Sequence, residues 1–173
     1  MSSVRWPGPR QALAAAGCLI LAACGSSASH QSTATPTVSA SAAAEPTSGS
    51  AAVAAITANW ETVFNGKAPL PSRTALVQDG SEVAAFVEAQ SKTSFGQAAT
   101  GSTATVSSVT ITSPAQATVH YQVLLLGTPL LKNQVGTAVY TDGAWKVAIA
   151  SFCALAYLEF PKGSPQLPAA CQS

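Results

Sequence analysis

The apolar residues of this chain change period at Gly101, and that change restricts the available folds more than any other feature. Before Gly101 they recur at helical spacing, and after it they alternate. Ala52, Val53, Ile56, Trp60, Val63 and Phe64 share one helical face, with Ser50 placed to cap the start and Asn65-Gly66 to stop it. Leu70-Pro71-Ser72 opens a short second segment that runs through Leu76 and Val77 and breaks at Asp79-Gly80. Val83, Phe86, Val87 and Gln90 predict a third helix over about residues 81–93. Beyond Gly101, Ala104 and Val106 fall out of phase with Val109 and Ile111, which predicts a bulge at Ser107-Ser108. After a turn at Ser113 to Gln116, Ala117, Val119, Tyr121, Val123 and Leu125 alternate with Thr118, His120 and Gln122 as a half-buried strand. Leu124 to Leu126 extends that strand, and Gly127-Thr128-Pro129 interrupts it. A third strand is expected over about residues 133–141. Asp142-Gly143 is a strong two-residue hairpin signal. Its register sets Tyr140 opposite Trp145, on a face shared with Val147 and Ile149, and the last strand ends at Cys153. The aromatic pair reads as core packing in preference to a ligand site. The expected fold is α+β: three N-terminal helices packed on a curved four-stranded antiparallel sheet.

The N-terminus reads as an address. Arg5 and Arg10 precede the uncharged apolar residues 12–23, which are too few to cross a bilayer and suit the apolar region of an export signal. Leu21-Ala22-Ala23-Cys24 then resembles a bacterial lipobox. That resemblance implies a diacylglyceryl group on the Cys24 thiol and signal cleavage between Ala23 and Cys24. Two acyl chains give stable anchoring where one does not, so the expected partner is the membrane, through diacylglyceryl-Cys24. The alternative is an ordinary secretory signal with Cys24 as a bystander. Cys18 lies inside the signal and is discarded with it.

Residues 24–50 form the lipidated cysteine and a linker. In residues 25–50, Ser, Thr, Ala, Pro and Gly fill 22 of the 26 positions, too little apolar material to offset the entropy of ordering. The expected division is thus a signal peptide at 1–23, a disordered Ser/Thr/Ala/Pro linker to residue 50, and a domain at 51–173. His30, in the linker, is expected to be inert. The two remaining cysteines, Cys153 and Cys171, read as a disulfide in an oxidising compartment, with a reactive thiol or metal pair as the alternative. Such a bridge would stabilise the domain by roughly 3 kcal/mol and pin residues 160–165 against the sheet.

Charge narrows the function classes. Only 9% of residues are charged and the net charge is +1, without a basic cluster, which excludes an electrostatic nucleic-acid binder. Asp79 and Asp142 both precede glycine and read as turn residues. Glu61, Glu82 and Glu88 fall on helices and read as solvated. His120 sits on the polar side of its strand. No nucleophile elbow, phosphate loop, dinucleotide fingerprint or metal spacing is present, so no catalytic, cofactor-binding or metal-ligating residue is assigned.

Ala55-Ile56 through Asn65-Gly66, Leu76-Val77-Gln78-Asp79-Gly80, Asp142-Gly143-Ala144-Trp145-Lys146-Val147 and Ser151-Phe152-Cys153-Ala154-Leu155, with a last Cys near the end, resemble the C-terminal domain of the mycobacterial low-molecular-weight secreted antigen family of actinobacteria. The resemblance implies a nuclear-transport-factor-2-like, cystatin-like architecture and an exported antigen without assigned activity. The family's namesake is released, whereas this chain resembles an anchored member. Two expectations follow: a non-enzymatic surface lipoprotein domain that binds a partner or envelope component, or a carrier for a small apolar ligand or envelope lipid. The second is motivated by Val123, Leu124, Leu125, Leu126, Leu130, Leu131, Phe152, Leu155 and Tyr157, and a closed, filled interior would exclude it.

Overall fold

The computed structural model describes residues 43–172. The expected signal at 1–23, the lipidation site Cys24 and the linker up to residue 42 lie outside the described residues. The elements are α1 (Gly49–Phe64), α2 (Leu70–Thr74), α3 (Gly80–Ser91), α4 (Ser94–Ala98), a 3₁₀ turn (Ala99–Gly101), β1 (Ser102–Ser113), β2 (Gln116–Leu125), β3 (Thr128–Thr141), β4 (Ala144–Val147), α5 (Ile149–Ala156) and a second 3₁₀ turn (Ala169–Cys171). The strands form one antiparallel sheet in the order β1-β2-β3-β4. The fold is α+β.

Helix α1 buries Ala52, Ile56, Trp60 and Val63, one stripe at helical spacing, against the sheet. The Trp60 ring meets Tyr121 of β2 edge-on, with centroids 5.1 Å apart, and Phe64 approaches the same tyrosine at 5.3 Å. Opposite Trp60, β3 carries Gly136. A Cβ there would lie 2.7 Å from two atoms of the indole ring, so the helix seats only because that position has no side chain. Burial of Tyr121 pushes its ionisation up to about 12.

The bulge expected near Ser107-Ser108 is present: the β1–β2 register shifts between Val106 and Ser108. Beside it the Val106 N–H donates to Glu61 Oε1 at 3.5 Å, so Glu61 is half-buried and not on a solvated face. Tyr140 and Trp145 are direct cross-strand partners, 5.3 Å apart, in the register that Asp142-Gly143 implies.

Several boundaries differ from expectation. Four helices and a 3₁₀ turn precede the sheet, not three helices, because α3 stops at Ser91 and Thr93 then caps α4 by accepting from the Gly96 N–H. Strand β3 begins at Thr128, before the expected residue 133. Its first half has no partner on the β4 side, so Pro129 is tolerated there, and an irregularity at Lys132-Asn133 resets the alternation. Strand β4 stops at Val147, and Cys153 lies in α5. The apolar run from Ala148 to Ala156 suits a strand or a buried helix equally by period. Main-chain bonds decide it: the Gln78 N–H donates to the Val147 carbonyl, the Val147 N–H to Leu76 and the Ala148 N–H to Thr137, which closes the strand edge at that point.

The expected linker end at residue 50 is also late. Glu45 donates its N–H to the Gly143 carbonyl at 2.8 Å, and its carboxylate accepts from the Trp145 N–H at 2.8 Å and from Asn59 Nδ2 at 2.9 Å. Tyr140 Oη donates to the Glu45 carbonyl and Trp145 Nε1 to the Pro46 carbonyl, each at 2.8 Å. Composition does not show this latch, because one acid in a Ser/Thr/Ala stretch carries no pattern. Helix α1 then starts at Gly49 after Ser48, two residues before the expected domain boundary.

A second, smaller core lies around the Cys153–Cys171 disulfide, whose Cα atoms are 5.3 Å apart. Leu167 is buried against it, Phe160 stacks edge-on to Phe86 at 5.8 Å, and Tyr157 Oη donates to the Cys171 carbonyl at 2.7 Å. The bridge thus holds the C-terminal segment, but against α3 and α5 and not against the sheet as expected, because Phe86 and the apolar side of α5 supply the surface that Phe160 and Leu167 cover.

Two outcomes follow from this packing. Gly136→Ala should lower the urea midpoint of unfolding by an amount equivalent to about 1–3 kcal/mol, the range for overpacking a filled core. Because Tyr121 ionises at about 12 when folded and at 10.0 ordinarily, stability should fall as pH climbs between those values. Stability curves of Tyr121→Phe measured beside the parent should lack that share of the alkaline loss.

Candidate functional site

Between the sheet and helices α4 and α5 lies a cleft of about 450 Å³, within the usual size range of ligand pockets. Val123 and Leu125 of β2 and Leu130 and Leu131 of β3 form its sheet wall. Phe64 closes the α1 side, Phe95, Ala98 and Ala99 the α4 side, and Leu155 and Leu158 the α5 side. Ser102 and Glu159 are the two polar side chains on the lining. The chemistry of such a space is desolvation: it gains free energy from apolar surface brought into it, about 25 cal/mol per Å².

Of the apolar residues that motivated a carrier, Val123, Leu125, Leu130, Leu131 and Leu155 line the cleft. Phe152 and Tyr157 instead pack around the disulfide, Leu124 is half-buried, and Leu126 stands exposed at the turn after β2. The sequence reading missed Phe64 as a wall, and Phe95 and Leu158 altogether. The signal for Phe95 was its place just after Thr93, a capping residue that opens a new helix.

Groups that a catalyst would need are dispersed. Tyr121 has its ring in the core, and among the described residues no carboxylate is hydrogen-bonded to it. Tyr140 donates to a main-chain carbonyl. His120 is exposed, beside Ser107 and Asn133 in a small polar depression. Asp79 and Asp142 have positive φ, 54° each, as turn residues. They line a shallow depression of about 480 Å³ with Lys146. Asp142 lies in the open, and its hydrogen bond and charge attraction to Lys146, 2.8 Å away, hold its carboxyl below the usual range. Among the described residues no three His, Cys, Asp or Glu side chains are grouped to hold a metal ion. No helix among them is long and apolar enough to cross a membrane.

Comparison with curated proteins and with solved structures returns no match. The family model described as low molecular weight antigen MTB12, C-terminal domain, matches residues 49–162, from the first residue of α1 to just past the cleft-lining end of α5. With more than half of its length matched, the chain belongs to the low molecular weight antigen MTB12 C-terminal domain family.

Proposed function

We propose that the chain is an exported lipoprotein, anchored through diacylglyceryl-Cys24, whose domain binds one small apolar ligand without catalysing a reaction. The open apolar cleft carries the binding part: its walls are aliphatic and aromatic side chains, and its volume admits one slender chain or ring system. A carboxylate, Glu159, stands on the lining and disfavours an anionic head group there, which points to an uncharged envelope lipid or similar ligand. The lipobox-like Leu21 to Cys24 carries the anchoring part, and membership of an antigen family supports export. The sheet-over-helix layout supports the nuclear-transport-factor-2-like, cystatin-like reading of the architecture.

Native mass spectrometry of protein extracted from its own envelope should show a retained small molecule that denaturation releases. Leu155→Trp, which fills the cleft, should weaken binding of a fluorescent long-chain alcohol by about tenfold or more, the scale set by losing one or more methylene contacts. A bare polypeptide mass from an intact fold, with no probe binding, would sink the ligand reading. Cys24→Ala should move the protein out of the lipid-modified fraction, detected as loss of metabolic labelling by an alkyne fatty acid. Undiminished labelling would place the acyl group elsewhere.

A further inference from the structure

Strand β3 is flanked by two hairpin turns of the same kind, and they use different residues. At one end Asp142 and Gly143 have φ of 54° and 78°, the positive pair that a two-residue type I′ turn requires and Asp-Gly supplies readily. At the other end Leu126 and Gly127 have φ of 51° and 81°. A left-handed φ is unfavourable for a bulky aliphatic residue, and Asn or Asp would relieve it. Leu126 gains nothing from the core in return: it is 83% exposed. A strained, exposed leucine is an outlier that calls for a role outside folding.

Its surroundings supply one. Leu126 lies over Gly101, at the end of the 3₁₀ turn whose Ala99 lines the cleft. Around the same mouth stand Leu158, 66% exposed, Phe95, 58%, and Leu130, 54%. Three separate elements thus raise large apolar side chains at one rim. Three lysines lie near the same mouth and outnumber its one lining carboxylate, Glu159. Lys132 follows Leu130 and Leu131, Lys162 lies three residues beyond Glu159, and Lys67 is next to Gly66, which packs on Ala99. All three lysines are exposed. Near the far end of β3, Glu45, Asp79 and Asp142 outnumber Lys146.

We propose that this rim is a membrane-docking surface. Leu126, Leu130, Phe95 and Leu158 enter the head-group region of an anionic bilayer, the flanking lysines face its phosphates, and the cleft opens toward the acyl chains. Docking rests on the anchored reading only in that the anchor brings the domain to the bilayer. The dimensions permit it. Glu45 is held at the turn after β3, the far end from the rim, and β3 is 14 residues long, about 45 Å at the usual rise. The chain from Cys24 to Glu45 reaches up to about 70 Å when extended. An apolar ligand would then pass between bilayer and cleft without crossing water.

The test uses the acylated protein in vesicles of phosphatidylglycerol and phosphatidylcholine, with the latter brominated on its acyl chains. Trp60 and Trp145 are 1% exposed, so an added surface indole reports lipid contact against a shielded background. Leu158→Trp should be quenched severalfold more than Val135→Trp, a site 61% exposed on β3. Adding Leu126→Asn should remove most of that difference while leaving the melting temperature unchanged or raised, because Asn suits the turn. Equal quenching at the two sites, or none at the rim, overturns docking. So does an emission blue-shift of Leu158→Trp that depends on protein concentration without lipid, which would assign the rim to a second copy of the chain. Flotation of the same vesicles reports the anchor separately: protein that floats with an unquenched rim keeps the anchor and loses the docking surface.

Discussion

The seating of Trp60 on Gly136 is the contact on which the architecture rests. A side chain at position 136 would run into the far edge of the indole, so the helix layer and the sheet meet where β3 offers bare backbone. Tyr121 and Phe64 close around that point, and Phe64 then turns its other side to the cleft. Core and cleft share this wall. The sheet side of the cleft is therefore as well determined as the core itself, since moving Phe64 would disturb the tyrosine and the tryptophan behind it.

The opposite wall is held differently. Leu155 and Leu158 belong to α5 and its end, and α5 is tied to the C-terminus by the disulfide and to β3 by Ser151, whose Oγ accepts from the Thr137 N–H at 2.8 Å. A covalent link and a strand-edge bond thus fix this helix. The apolar inventory of a small domain with few charges is divided between a filled core and an unfilled space, and the division falls between Phe64 and Leu155.

Much of this was legible in the amino-acid order, for reasons that differ by residue. Period and turn chemistry located α1, β2, the bulge at Ser107 and the Tyr140–Trp145 pair, because each is a local rule applied over several residues. Period failed from Ala148 to Ala156, where every residue but Ser151 is small or apolar and helix and strand look alike. The start of β3 was hidden because Pro129 argues against a strand unless the edge is known to be free. The sheet wall of the cleft, Val123, Leu125, Leu130 and Leu131, was legible from the apolar run between Val123 and Leu131. Phe95 and Leu158 were not, since isolated apolar residues on a five-residue helix and in a turn gain meaning only when the chain brings them to one mouth. Glu45 was invisible for the opposite reason: its partners Asn59, Gly143 and Trp145 are distant in sequence.

That glutamate also decides how the domain bears load. A pull applied to the chain from its N-terminal side reaches Glu45 before it reaches α1. There it is divided among the Gly143 carbonyl, the Trp145 N–H, the Asn59 amide and the Tyr140 hydroxyl. Three of those groups sit on the β3–β4 hairpin and the fourth, Asn59, lies in the third turn of α1, so force would be absorbed there while the helix start, which has no side-chain cap, is spared from unravelling.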